Sequence, residues 1–112
     1  MIGVPTGIID RGESITEALI REVSEETGYV PEVIIPLGRF IDNPYSQAMN
    51  HFFLTTCTDI VESSHGDGEY ISTVLVTPLE CEKMIFDGRI ECCFTPGIYF
   101  LAKTKTNNFT NF

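Results

Sequence analysis

The sequence predicts an α/β domain on three observations: one segment with helix caps at both ends and a 3.6-residue apolar period, three apolar runs of strand composition, and two helix-like segments near the C-terminus. Residues 1–13 are dense in Gly, Pro and Asp around an Ile8-Ile9 step and read as a loop with one brief strand. Ser14-Ile15-Thr16-Glu17 is a capping box, in which the serine and the glutamate satisfy each other's backbone donors. Gly28 suits the left-handed position that ends a helix, so a helix is expected over Ile15–Thr27. The runs 32–37, 48–56 and 70–77, each bounded by Pro, Gly, Asn or Asp, favour strands through their β-branched and aromatic content. Residues 79–86 read as a helix ended by Asp87-Gly88, and residues 96–103 as a final helix with Pro96 in its first turn. Residues 1–104 form the domain in this reading. Residues 105–112, rich in Thr and Asn, are its frayed tail.

A chain of 112 residues, 43% apolar and 21% charged, has material for one core and too little length for two. Its 16 acids against 7 bases leave a net charge of −9, a field that repels nucleic-acid backbones and anionic membranes. A phosphate-bearing ligand would need a local cation. No apolar run approaches the ~20 residues that span a bilayer, and Met1-Ile2-Gly3-Val4-Pro5 lacks the basic start of a signal peptide, so a cytoplasmic protein is expected. Cys57, Cys81, Cys92 and Cys93 show no CxxC spacing and read as reduced, mostly buried thiols.

The carboxylates of the first helix break the usual pattern. At 100° per residue, Ala18, Leu19 and Val23 share a face with Ile15, and Glu22 and Glu26 fall on that same face. Like charges one turn apart repel, and placing either near a core is costly without a partner. With Glu25 beside them they form the oxygen-rich set that a hard divalent cation prefers. A solvated acidic stripe is the alternative. Arg21, four residues from both Glu17 and Glu25, can bridge to either.

Read from Gly7, the segment runs Gly7, five residues, Glu13, seven residues, Arg21-Glu22-Val23, one residue, Glu25-Glu26, one residue, Gly28-Tyr29. This resembles the complete signature of the Nudix hydrolase family, enzymes that act on nucleoside diphosphates linked to another moiety. The resemblance implies an α/β/α sandwich with a mixed sheet. It also implies Mg²⁺ (or Mn²⁺) as cofactor, with Glu22 and Glu26 as principal ligands, Glu25 as ligand or neighbour with a catalytic part, and the Thr6 carbonyl as a further donor. Glu13 and Arg21 would be a structural ion pair, with Gly7 and Gly28 in turns that exclude a side chain.

Pro5-Thr6-Gly7-Ile8-Ile9-Asp10, His51-Phe52-Phe53-Leu54 and Val76-Thr77-Pro78-Leu79-Glu80 are similar to segments of the branch that hydrolyses ADP-ribose and nucleotide sugars. In that branch a late loop acid is the general base, which implies Glu69, with Asp67 and Glu62 as alternatives. The proline marker of that branch and the tyrosine marker of dinucleoside polyphosphate hydrolases coincide in Pro44-Tyr45, and Tyr45 or Phe40 could stack on a base or fill the core. The expected reaction gives AMP, or another nucleoside monophosphate, and a sugar phosphate. Only six residues precede Gly7, where the family carries several strands, so the expected domain is N-terminally truncated with an open sheet edge, and a homodimer is one expected outcome. The other functional reading is a catalytically weak, Nudix-like module that binds a nucleotide or a metal.

Overall fold

The computed structural model describes residues 2–60 and 72–110. The elements run α1 (Ile15–Thr27), β1 (Tyr29–Ile41), β2 (Met49–Ile60), α2 (Pro78–Phe86) and α3 (Thr95–Lys105). This is the α/β content expected, with β1 and β2 paired as an antiparallel two-stranded sheet. A parallel bridge between Ile2 and Ile90 lies outside the hairpin. Among the described residues no helix is long and apolar enough to cross a membrane.

The α1 boundaries match the capping signals. Ser14 Oγ accepts from Glu17 N at 3.1 Å, Glu17 Oε1 accepts from Ser14 N at 3.3 Å, and Gly28 closes the helix at φ 78°. Helix α2 repeats the device with Thr77 and Glu80 and has Pro78 in its first turn. Helix α3 starts on Phe94 with no side-chain cap.

Four expectations change. Residues 8 and 9 form no strand, because the Ile8 carbonyl accepts from Arg21 Nη2 at 2.9 Å and is not left for a sheet ladder. The runs at 32–37 and 48–56 lengthen into strands of 13 and 12 residues, since each extends the other's ladder. The run expected at 70–77 is not a strand over 72–77; no strand among the described residues pairs with it, and Val74 and Leu75 stand open to solvent. The cysteines are not mostly buried: Cys57 and Cys93 are exposed, Cys81 and Cys92 half-buried.

The chain divides into two compact units. One comprises Met1–Gly3, Ile34–Thr55 and Thr77–Phe112. Its buried apolar side chains are Leu37, Met84 and Ala102. Phe40 stacks on Phe52 with ring centroids 5.2 Å apart, and Phe94 meets Phe52 edge-on at 5.7 Å, so Phe40 packs against a ring while remaining partly exposed. Gly38 is at φ 138°, and a Cβ there would press on the Phe40 ring. Order continues past α3: Thr106 is buried and its hydroxyl donates to the Ala102 carbonyl at 2.6 Å, while Phe109 packs on Tyr99.

The other unit comprises Val4–Val33 and Thr56–Val76 and contains α1. Ala18 is its buried apolar residue on that helix; Leu19 and Val23 are half-buried, and Ile15, expected on the core face, is exposed in the first turn. At the base of the hairpin, Thr56 Oγ1 accepts from Val33 N at 3.0 Å and Thr58 Oγ1 donates to the Val30 carbonyl at 3.3 Å.

Candidate functional site

The site is built around one cation. Arg21 grips Glu13 with two parallel bonds, Nε to Oε2 at 2.7 Å and Nη2 to Oε1 at 2.9 Å, the planar fork that a lysine cannot reproduce. Its Nη1 donates to Glu22 Oε1 at 2.8 Å and reaches Glu25 Oε2 at 3.5 Å, and Nη2 lies 3.4 Å from Asp10 Oδ2. The loop closes on itself as well: Asp10 N donates to Glu13 Oε1 at 2.9 Å, and Glu13 N to the Asp10 carbonyl at 3.0 Å.

These contacts set the electrostatics. Glu13, with 14% of its side chain exposed, has its carboxyl held down to about 2, first by the hydrogen bonds from Arg21 and then by the Asp10 N–H. Glu13 and then Glu22 push the Arg21 guanidinium further above its ordinary value.

The loop backbone also meets the helix carboxylates. Thr6 N donates to Glu26 Oε2 at 3.2 Å, and a Cβ built on Gly7 would collide with the carboxyl group of Glu22. Thr6-Gly7 therefore runs across two carboxylates one turn apart, which explains why glycine occupies position 7. Glu22 and Glu26 are half-buried, as their place on the inner side of α1 requires. Among the described residues, no three His, Cys, Asp or Glu side chains gather closely enough to hold a metal ion between them. The groups that do meet, two carboxylates and the peptide unit beside Gly7, are hard oxygen donors of the kind Mg²⁺ takes.

Several sequence readings are refined. Of the two partners open to Arg21 on its own helix, Glu25 is the one it reaches, Glu17 being occupied by the capping box, and the loop adds contacts with Glu13, Asp10 and the Ile8 carbonyl. The candidate bases Glu69, Asp67 and Glu62 lie outside the described residues. Tyr45 is 96% exposed at the tip of the hairpin, where its N–H donates to Asn43 Oδ1 at 2.9 Å, so it fills no core. Thr73 was not anticipated: its hydroxyl donates to the Glu26 carbonyl at 3.2 Å from 47 residues away, and no local pattern announces such a contact.

The NUDIX domain model matches residues 1–90. The chain belongs to the NUDIX family. The domain is similar to an ADP-ribose pyrophosphatase of Bacillus subtilis (strain 168), 24% identical over 88 residues, covering 76% of this chain and 48% of that protein. It is also similar to an ADP-ribose pyrophosphatase of Methanocaldococcus jannaschii, 46% identical over 35 residues, covering 31% of this chain and 21% of that one. The NUDIX chain thus spans about half the length of the first relative and less of the second.

Proposed function

We propose that this NUDIX domain hydrolyses a nucleoside diphosphate linked to another moiety, with ADP-ribose or a nucleotide sugar as substrate and AMP, or another nucleoside monophosphate, and a sugar phosphate as products. The observation that carries this reading is the meeting of the Thr6-Gly7 backbone with Glu22 and Glu26 on one side of α1. The family match and the names of the two relatives support it.

Mg²⁺ (or Mn²⁺) bound by Glu22, Glu26 and the Thr6 carbonyl, with Glu25 as ligand or neighbour, would neutralise the diphosphate and activate a water. In a chain of net charge −9 a phosphate ligand needs such local neutralisation. The residues' own part is positional. Arg21 and Glu13 hold the 6–13 loop against α1, and the bond from Arg21 to Glu22 orients that carboxylate. Glu69 is assigned to accept the proton of the attacking water, with Asp67 and Glu62 as alternatives. A cytoplasmic location, a small-molecule substrate rather than nucleic acid, and a homodimer belong to the same proposal.

The test is release of AMP from ADP-ribose with Mg²⁺ by the parent, Glu22→Gln and Glu26→Gln. Each variant should lose at least ~100-fold in turnover; turnover equal to the parent's would remove these residues from the mechanism. The ties from Arg21 to Glu22 and Glu25 favour a second reading, a weakly catalytic binding module whose carboxylates are spent on structure. Thermal stabilisation by Mg²⁺ and ADP-ribose without AMP release would select it.

A further inference from the structure

We infer that Thr73 is a positioning residue for the carboxylate helix: its hydroxyl ties the last turn of α1, and with it Glu26, to the stretch 72–77. The inference rests on the metal-site reading of Glu22 and Glu26. The last four carbonyls of an α-helix lack partners within it, and an acidic C-terminal turn opposes the helix dipole. Helix α1 combines both difficulties. Glu22, Glu25 and Glu26 crowd its end, and its last turn has no basic residue. A local group answers part of the demand: Gly28 N donates to the Ser24 carbonyl at 2.9 Å. The Glu26 carbonyl is met instead by Thr73, at 3.2 Å across a separation of 47 residues.

The position of this bond gives it leverage. It holds the peptide of the residue whose side chain accepts from Thr6 N, so the loop, the carboxylate and the distant segment meet at Glu26. Without the hydroxyl, the final turn has one external restraint fewer while its like charges still repel. The carboxylate spacing would then be set less closely, which a divalent ion reads directly as affinity.

Mn²⁺ serves as the probe, with the free ion read by electron paramagnetic resonance during titration of the parent, Thr73→Val, Thr73→Ser and Glu26→Gln. Thr73→Val keeps the shape and removes the hydroxyl; it should bind Mn²⁺ roughly 3- to 10-fold more weakly. Thr73→Ser, which restores the donor, should return to within about twofold of the parent. With ADP-ribose as substrate, Thr73→Val should lower kcat by a similar factor and leave KM within about twofold, since the bond acts on the carboxylates and not on the sugar or base. Mn²⁺ binding by Thr73→Val equal to the parent's, while Glu26→Gln loses it, overturns this inference alone. Parent-like binding by Glu26→Gln overturns the metal-site reading and this inference with it. Weakened binding by both Thr73 variants overturns the role of the hydroxyl, since serine retains it.

Discussion

Two polar clusters hold this molecule's helices, and they are built oppositely. In one, a single cation, Arg21, serves four acids, Asp10, Glu13, Glu22 and Glu25, all within the first 25 residues. In the other, a single acid, Glu82, serves a phenol and an ammonium from the next helix: Tyr99 Oη donates to Glu82 Oε2 at 2.8 Å and lies 3.2 Å from the Pro78 carbonyl, and Lys103 Nζ is 3.4 Å from Glu82. The first leaves an excess of negative charge beside a loop. The second is balanced and clamps α2 to α3. One cation cannot neutralise four acids, whereas the second cluster pairs its single acid with a single ammonium.

The difference can be broken by experiment. Arg21→Met should have the largest effect, lowering AMP release ~10- to 100-fold because the loop and Glu22 lose their common anchor. Lys103→Met, the matching change in the other cluster, should leave turnover unchanged. If both lower it equally, the contrast fails. Leu37→Ala, in β1 and 2% exposed, should cost about 2–5 kcal/mol in urea unfolding by opening a cavity.

The pH response should separate the clusters next. Because the folded Glu13 carboxyl lies below its ordinary 4.5, at about 2, its contribution is intact above pH 4.5 and is lost as pH falls towards 2. Glu13→Gln should flatten that acid limb of a thermal melting series. Tyr99 is pushed up to about 12, first by burial and then by its bond to Glu82, so the folded state favours the protonated phenol. Stability is therefore intact below pH 10 and falls as pH rises from 10 to 12, a limb that Tyr99→Phe should flatten. Glu82 is held below its ordinary range by Tyr99 and then Lys103, so this cluster also adds to the acid limb. The smallest effect expected is that of Lys103→Met on Tm at pH 7, a fall of no more than ~5 °C for an exposed ion pair.

The legible and illegible parts of the molecule divide along sequence distance. Helix α1 was readable to the residue because Ser14, Glu17 and Gly28 are local signals. The grip of Arg21 on Glu13 followed from the resemblance, and its contacts with Asp10 and the Ile8 carbonyl needed the loop's path in space. The strands are placed but cut short; at the start of β1, Pro31 argues locally against a strand but is tolerated where one edge is open. Residues 72–77 have strand composition without a partner strand among the described residues, and composition cannot supply a partner. The bonds from Thr73 to Glu26 and from Tyr99 to Glu82 join residues 47 and 17 apart and had no precursor in any window of sequence.

The close approach of Gly7 to the Glu22 carboxyl group bears on mutational tolerance. A survey of all single substitutions scored by activity would be expected to mark position 7 as intolerant as position 22, although glycine contributes no chemistry. Alanine, the mildest replacement elsewhere, would already displace the Glu22 carboxyl group there, because the first methyl takes its space. A step at the first methyl, in contrast to the graded profile of an ordinary packed position, is the population-level trace of a site defined by an absent atom.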